Sequence, residues 1–166
     1  MKAGVALGSN LGDRAAHLVA ARHHLASLHL GPDHALSSLL YETEPVDCDP
    51  GTASFLNAVV EIETLLAPAA LLERLRDFEK RQGRATGRAR NSPREIDLDL
   101  LYWGGTQLQS PGLTLPHPRL TMRRFVLQPL SDIRPGLVLP GQSLTVAQLL
   151  HALPAAPAVR RAADSW

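Results

Sequence analysis

Two aspartates, Asp97 and Asp99, alternate with leucines in a short apolar segment, and their carboxylates are candidate ligands for a metal ion. In a β-strand every second side chain projects from the same face, so their carboxylates would lie about 6.6 Å apart along the strand. The opposite face would carry Ile96, Leu98, Leu100 and Tyr102. Oxygen ligands suit Mg²⁺ better than zinc. We therefore predict a magnesium site, in preference to a solvated strand face, because aspartate is unfavourable in strands.

Arginine dominates the stretch before the two aspartates. Eight of the 17 Lys and Arg residues lie between positions 74 and 94, and positions 83–92 hold no apolar residue larger than alanine. The guanidinium group presents a planar fork of donors to phosphate oxygens. Arginines beside magnesium-binding carboxylates are what phosphoryl transfer requires. A P-loop enzyme or a protein kinase is not expected, because the chain has no G-x-x-x-x-G-K-[ST] segment and only two lysines.

Composition narrows the class of protein further. The chain has 166 residues, 45% of them apolar, and a net charge of +1, values typical of a globular domain and not of a disordered chain. There is no run of about 18 consecutive apolar residues, and the N-terminal apolar run is too short for a signal peptide. A single cysteine, Cys48, excludes an internal disulfide. We expect one cytoplasmic domain over residues 1–166, loosely ordered after about residue 153.

The predicted elements follow the order strand, helix, strand, strand, helix, strand. Periodicity indicates strands near 2–7, 35–42, 55–64 and 96–103, and amphipathic helices over 13–28 and 68–83. This βαββαβ order is typical of the ferredoxin-like α+β fold, an antiparallel sheet with helices packed on one face. An extra C-terminal hairpin near 106–115 and helices near 119–129 and 145–152 follow. The other face of the sheet is open for a site.

Four further residues are candidates for ligand contacts. His117 stands between two prolines that hold it in an extended turn, where it could bind a phosphate oxygen or belong to a surface turn. Asn57 lies in the middle of a strand against its propensity, so it either packs at an edge or binds a polar ring through its amide. Phe55 and Phe125 belong to the core or stack on a flat ligand.

Six segments occur together in an order and spacing that point to one family. They are Gly8-Ser9-Asn10-Leu11-Gly12, Thr43-Glu44-Pro45-Val46, Phe55-Leu56-Asn57-Ala58, Glu79 to Arg84, Ser92-Pro93-Arg94-Glu95-Ile96-Asp97-Leu98-Asp99 and Pro116-His117-Pro118-Arg119. From about residue 4 to residue 140 the chain resembles 6-hydroxymethyl-7,8-dihydropterin pyrophosphokinases of folate biosynthesis. The resemblance implies a ferredoxin-like fold and transfer of pyrophosphate from ATP to the pterin's hydroxymethyl group, leaving AMP.

The same resemblance implies roles for individual residues. Asp97 and Asp99 would hold two Mg²⁺ ions and act in catalysis together with Arg84 and Arg94. ATP would contact Glu79, Arg84, Arg88, Arg90, Arg94, His117 and Arg123. The pterin ring would lie between Phe55 and Phe125, and its edge would be bound by Asn57, Thr43 and Val46. The expected partners are ATP and a dihydropterin, without nucleic acid or membrane, and the enzyme is expected to be a monomer.

Two other functions remain open from the residues alone. A magnesium-dependent nucleotidyl or glycosyl transferase would use the Asp-x-Asp pair with a different leaving group and without a pterin. A ferredoxin-like module that binds RNA through its sheet would use the arginine-rich segment. Such sheets usually expose aromatic side chains, and only Phe55 is well placed on the strands for that purpose.

Overall fold

The computed structural model describes residues 1–31, 33–45, 53–83 and 94–166. Its strands are β1 (Lys2–Ser9), β2 (Leu36–Ser37), β3 (Leu40–Thr43), β4 (Phe55–Glu63), β5 (Asp97–Trp103), β6 (Leu108–Ser110), β7 (Leu113–Leu115) and β8 (Val159–Ala163). Its helices are α1 (Arg14–Ser27), α2 (Pro68–Arg81), α3 (Arg124–Ile133) and α4 (Val146–Ala152), with a 3₁₀ turn at Leu120–Met122. No helix within these ranges is long and apolar enough to cross a membrane.

The strands form one antiparallel sheet in the order β5-β1-β4-β3-β8, with β2 also paired to β4. The interior strand β1 aligns Gly8 with Asn57 of β4 on one side and with Asp97 of β5 on the other. β6 and β7 form the separate hairpin that the sequence predicts. The predicted α+β class with an antiparallel sheet is confirmed.

Helices α1 and α2 cover one face of the sheet, as the βαββαβ order predicts. Their leucines Leu18, Leu25, Leu71 and Leu75 are fully buried. Each buried side chain of this size contributes about 1.5–3 kcal/mol through the hydrophobic effect. They pack against alternate strand residues, among them Ala3, Val5, Leu7, Ala58, Val60, Ile62, Leu98 and Leu100. This first core therefore supports the side chains that project from the other face of the sheet.

Helix α2 begins and ends where its sequence indicates. Pro68 occupies the first turn, where a missing N–H costs nothing. Past the end of the helix, Gly83 adopts a φ of 98°, a left-handed conformation that favours glycine. The helix therefore stops at a position that its local sequence dictates.

The second face is covered by α3 and α4 over part of its area. Val126, Leu127 and Leu130 of α3 pack with Val59 of β4 and Leu101 of β5 in a second core. Sequence analysis predicts helices beyond the βαββαβ unit but does not assign them a face. The structure adds them as a layer opposite α1 and α2, so only part of this face is available for a site.

A β-bulge changes the face on which Tyr102 lies. The pairing of β1 with β5 shifts register, so that Gly4 opposes Tyr102 while Val5 opposes Leu100. Leu101 is the extra residue, and Tyr102 joins the second core instead of the first. The predicted face of Tyr102 is therefore wrong, because strict alternation does not hold across a bulge.

Two other elements differ from the sequence-based expectation. The strand expected over 35–42 is divided into β2 and β3, because the Ser38 hydroxyl accepts the Val59 N–H at 2.9 Å and interrupts the regular ladder. The segment expected to be loosely ordered after residue 153 contains β8, which pairs with β3. Such long-range pairing leaves no local signature in a five-residue segment.

Candidate active site

Asp97 and Asp99 lie together at the beginning of β5, on the face that carries the second core. Across the sheet, Asp97 is opposite Gly8 and Asp99 is opposite Ala6 of β1. Both aspartates are partly exposed, whereas Leu98 and Leu100 between and beyond them are buried in the first core. The two carboxylates thus project side by side over the small residues of β1, as the alternation predicts.

Each aspartate faces one arginine. Nη1 of Arg94 lies 2.7 Å from Oδ2 of Asp97, and Nη1 of Arg123 lies 3.5 Å from Oδ2 of Asp99. A guanidinium group has five N–H donors, more than one carboxylate oxygen can accept. The two predicted cationic residues are therefore held beside the acidic pair, where they can also donate to an anionic ligand.

Burial, together with the charges at this site, shifts the pKa values of two groups. Burial raises the pKa of Asp99, and the negative charge of Asp97 raises it further, against the opposing effects of His117 and Arg123. Burial lowers the pKa of His117, although the charge of Asp99 acts in the opposite direction. Two carboxylates that hinder each other's ionisation favour a bound cation, which removes the repulsion.

The donor set near the pair fits magnesium. Across the residues that the structure describes, no three His, Cys, Asp or Glu side chains come together as a complete metal-binding group. A structural zinc site needs about four protein ligands, whereas Mg²⁺ typically takes one or two carboxylates and completes its shell with phosphate and water. The chemistry of Asp97 and Asp99 therefore fits Mg²⁺ brought with a nucleotide.

His117 approaches the acidic pair from the turn after β7. Its backbone N–H donates to the Leu101 carbonyl at 2.7 Å, which ties the turn to β5. Its ring Nδ1 accepts the Arg119 backbone N–H at 3.2 Å, so the neutral ring carries its proton on Nε2. That N–H is available as a donor of the kind a phosphate oxygen accepts.

Three of the predicted pterin residues lie next to each other on β3 and β4. The side-chain Nδ2 of buried Asn57 donates to Oγ1 of Thr43 at 2.7 Å. A Cβ on Gly8 would stand 3.4 Å from Oδ1 of Asn57 and 3.9 Å from Cδ1 of Phe55. Glycine at this position therefore leaves open the space that the Asn57 amide oxygen and the Phe55 ring line.

Phe125 is linked to the acidic pair through Arg123. The Arg123 guanidinium carbon lies 5.4 Å from the centre of the Phe125 ring, within the range of a cation–π contact. The half-buried ring also packs against the second core. A position of Phe125 opposite Phe55 across a bound pterin stays a prediction.

Glu79 is predicted as an ATP contact, and its described contact is with the strand that carries the aspartates. Its carboxylate is buried and accepts the backbone N–H of Leu98 at 2.7 Å. Leu98 separates Asp97 from Asp99, so this bond holds the beginning of β5 to helix α2. Glu79 therefore positions the acidic pair, and a contact with ATP stays a prediction.

Asn10 is a site residue that sequence analysis missed. Its buried side chain accepts the Arg94 backbone N–H at 2.8 Å through Oδ1 and reaches the Ala53 carbonyl at 3.5 Å through Nδ2. It thus connects the residues that lead into β4 and β5. Its place in the Gly8–Gly12 segment is a signal for a turn, but the two partners are brought to it only by the fold.

Four predicted site residues lie outside the described residues. They are Val46, Arg84, Arg88 and Arg90. Their assignments to the pterin and to ATP stay predictions.

Comparisons with known proteins identify the family of this chain. A family model described as 7,8-dihydro-6-hydroxymethylpterin-pyrophosphokinase (HPPK) matches residues 4–135. The 2-amino-4-hydroxy-6-hydroxymethyldihydropteridine pyrophosphokinase of Methylorubrum extorquens is 42% identical over 146 residues, which cover 88% of this chain and 90% of that protein. The Bacillus subtilis protein of the same name is 42% identical over 134 residues, covering 78% and 75% respectively.

Solved structures show the same fold. The structure of Plasmodium falciparum wild-type HPPK-DHPS with pteroate superposes with a TM-score of 0.67 at 16% identity, over 90% of this chain and 42% of that chain. The chain thus spans less than half the length of that solved protein, and the likeness concerns the fold alone. On the family match and the close relatives, the chain belongs to the 7,8-dihydro-6-hydroxymethylpterin-pyrophosphokinase family.

Proposed function

We propose that the face bearing Asp97 and Asp99 is where this chain, an ATP-dependent pyrophosphokinase by family, modifies its pterin substrate. The reaction transfers pyrophosphate from ATP to the hydroxymethyl group of 6-hydroxymethyl-7,8-dihydropterin and releases AMP, a step of folate biosynthesis. One observation carries the location. The Asp97–Arg94 pair and the Asn57–Thr43 pair lie on either side of Gly8 in the same register of the sheet.

On the nucleotide side, Asp97 and Asp99 would hold two Mg²⁺ ions together with the triphosphate. When bound, Mg²⁺ neutralises phosphate charge and favours ionisation of a nearby hydroxyl. Its binding would relieve the repulsion that contributes to the raised pKa of Asp99. The number of ions is part of the proposal, since two carboxylates on one strand face can serve either one ion or a close pair.

Arg94, Arg123 and His117 would stabilise the charge of the triphosphate as it is transferred. The two arginines are already oriented by Asp97 and Asp99, so little reorganisation is needed when nucleotide binds. A preorganised donor at such a position is worth on the order of 3 kcal/mol in the transition state. His117 would add its Nε2–H as a further donor.

On the pterin side, Asn57 would bind the polar edge of the ring while Phe55 and Phe125 stack on its faces. The bond from Asn57 to Thr43 engages one amide N–H and thereby fixes the orientation of the amide. The second N–H can then donate to an acceptor on the ring, and Oδ1 can accept from a donor on the ring. This arrangement suits a flat ligand with an amide-like edge.

Analysis of products tests the function directly. We would incubate the protein with ATP, Mg²⁺ and 6-hydroxymethyl-7,8-dihydropterin and separate the nucleotides. Pterin-dependent AMP without ADP is expected. ADP would indicate ordinary phosphoryl transfer and contradict the proposal, whereas bound ATP without turnover would favour another acceptor, as in a nucleotidyl or glycosyl transferase. Absence of nucleotide binding would favour the RNA-binding module.

The oligomeric state and the location of the enzyme in the cell belong to the same proposal. We expect the enzyme to act as a monomer in the cytoplasm with ATP and the pterin as its partners. Light scattering at the concentration used for the assay should give the mass of one chain, near 18.0 kDa. A stable dimer at that concentration would contradict this part of the proposal.

A further inference from the structure

Strand β8 lies outside the part of the chain that matches the family model, which ends at residue 135. It nevertheless forms the edge of the main sheet, next to β3. The register sets Val159 opposite Thr43, Arg160 opposite Glu42 and Arg161 opposite Tyr41. A strand added beyond the matched region therefore contacts the strand that carries a predicted pterin residue.

β3 depends on its neighbours because it is only four residues long. On its inner side it pairs with β4 through Tyr41, Glu42 and Thr43. On its outer side it pairs with β8 over its whole length. Short two-stranded pairings are marginally stable in water, so the second partner contributes substantially to the position of Thr43.

The residues after β8 are attached to the body of the protein. The indole Nε1 of Trp166 donates to the Ser38 carbonyl at 2.8 Å, next to the start of β3. The Arg22 guanidinium carbon of α1 lies 4.8 Å from the centre of the same indole ring. The Trp166 side chain also packs against the first core. β8 is thus held at its far end, which keeps it in register with β3.

We propose that β8 is a positioning segment for the pterin side of the site. By pairing with β3 it holds Thr43, whose Oγ1 accepts the Asn57 side-chain N–H and thereby orients the amide for the pterin. This inference rests on the proposed function. The nucleotide side should be insensitive to β8, because the aspartates lie on β5, at the opposite edge of the sheet.

The test compares two double variants. Arg160→Pro with Arg161→Pro interrupts the strand, because proline lacks the N–H for the ladder. Arg160→Thr with Arg161→Thr removes the same two charges and keeps a residue that favours strands. For both variants and the unmodified chain we would measure KM for each substrate, kcat, and amide hydrogen exchange at residues 40–43.

The proline variant should raise KM for the pterin about five- to tenfold, the effect of losing roughly one hydrogen bond. Its KM for ATP should stay within about twofold, and exchange at residues 40–43 should become faster. The threonine variant should behave like the unmodified chain. Trp166→Ala, a milder change that loosens the far end of β8, should shift the pterin KM in the same direction by about two- to threefold.

Three outcomes would overturn the inference. They are faster exchange with an unchanged pterin KM, an equal rise of both KM values, and a threonine variant as impaired as the proline variant. If the proline variant does not fold, an unchanged pterin KM in Trp166→Ala decides against β8. If the unmodified chain yields no pterin-dependent AMP, the proposed function fails first, and the role of β8 fails with it.

Discussion

Two clusters of carboxylates and arginines lie on the same face of the sheet, about four residues or about 13 Å apart along β1. The closed cluster consists of Glu61 and Tyr102, which both lie opposite Gly4, and of Arg134, which pairs with Glu61. The open cluster consists of Arg94, Asp97, Asp99 and Arg123, next to Gly8. They use the same kinds of side chain, and the comparison shows what separates a structural cluster from a functional one.

In the closed cluster a single carboxylate is saturated with donors. Glu61 is 5% exposed, accepts the Tyr102 hydroxyl at 2.6 Å and accepts two donors of Arg134, the Nε at 3.0 Å among them. Burial and the charge of Glu61 raise the pKa of Tyr102, which keeps its hydroxyl protonated as a donor. A side chain on Gly4 would overlap the Tyr102 ring. The Glu61 carboxylate therefore finds its donors within the protein.

In the open cluster two carboxylates lie side by side at the beginning of β5. The side chains of Asp97 and Asp99 are 26% and 39% exposed, and each has one arginine beside it. Their proximity raises the pKa of Asp99 beyond the effect of burial. The protein keeps two like charges together at a cost in stability, a pattern typical of functional sites. Burial and the proximity of two like charges, not residue type, separate the two clusters.

The largest effect should come from neutralising one carboxylate of the open cluster. Asp97→Asn should lower kcat about a thousandfold or more, because it removes a magnesium ligand and a partner of Arg94. Its melting temperature should not fall, since one of two repelling charges is gone. Pterin-dependent AMP formation and thermal melting measure the two effects. An active Asp97→Asn enzyme would remove Asp97 from the site.

Removing an arginine should likewise lower turnover in the open cluster and lower stability in the closed cluster. Arg94→Ala should reduce turnover about a hundredfold, the effect of losing one well-placed donor to the phosphates. Arg134→Ala is its matched control, because it removes the arginine of the closed cluster. That variant should be less stable while its turnover per folded molecule stays close to normal. Equal losses of turnover in both would contradict the distinction between the clusters.

Opening the closed cluster should change stability and little else. Glu61→Ala leaves the buried Tyr102 hydroxyl and the partly exposed Arg134 without their acceptor. The free energy of unfolding should fall by about 2 kcal/mol, as measured by urea denaturation. Adding Tyr102→Phe should restore part of the loss, because the unsatisfied hydroxyl is then removed. KM values for ATP and pterin close to normal are expected throughout.

The smallest expected effect concerns the support of the open cluster by Asn10. Asn10→Ala removes bonds to Arg94 and to Ala53, so kcat/KM should fall about tenfold for both substrates, on the scale of one or two hydrogen bonds. Asn10→Asp keeps the acceptor for Arg94 and loses the donor to Ala53. In this variant KM for ATP should rise less than KM for the pterin. A larger rise for ATP would contradict this division.

The sequence alone predicted the elements whose cause is local. The two-residue period places Asp97 and Asp99 on one strand face, and Pro68 and Gly83 bracket α2. The order of these elements indicates the α+β class. These features follow from side-chain periodicity and backbone preference, which a short stretch of sequence contains in full. Most of the residues near the site were identified by resemblance to a family, not by periodicity.

Only the tertiary structure decided which charged residues meet. Glu61 and Arg134 are separated by 73 positions, and nothing in their local sequence distinguishes them from Asp99 and Arg123. The bulge that moves Tyr102 to the second core and the pairing of β8 with β3 likewise arise from strand register. Register and helix packing determine which carboxylates are buried with a full set of donors and which stay open to a ligand, because both depend on contacts between distant parts of the chain.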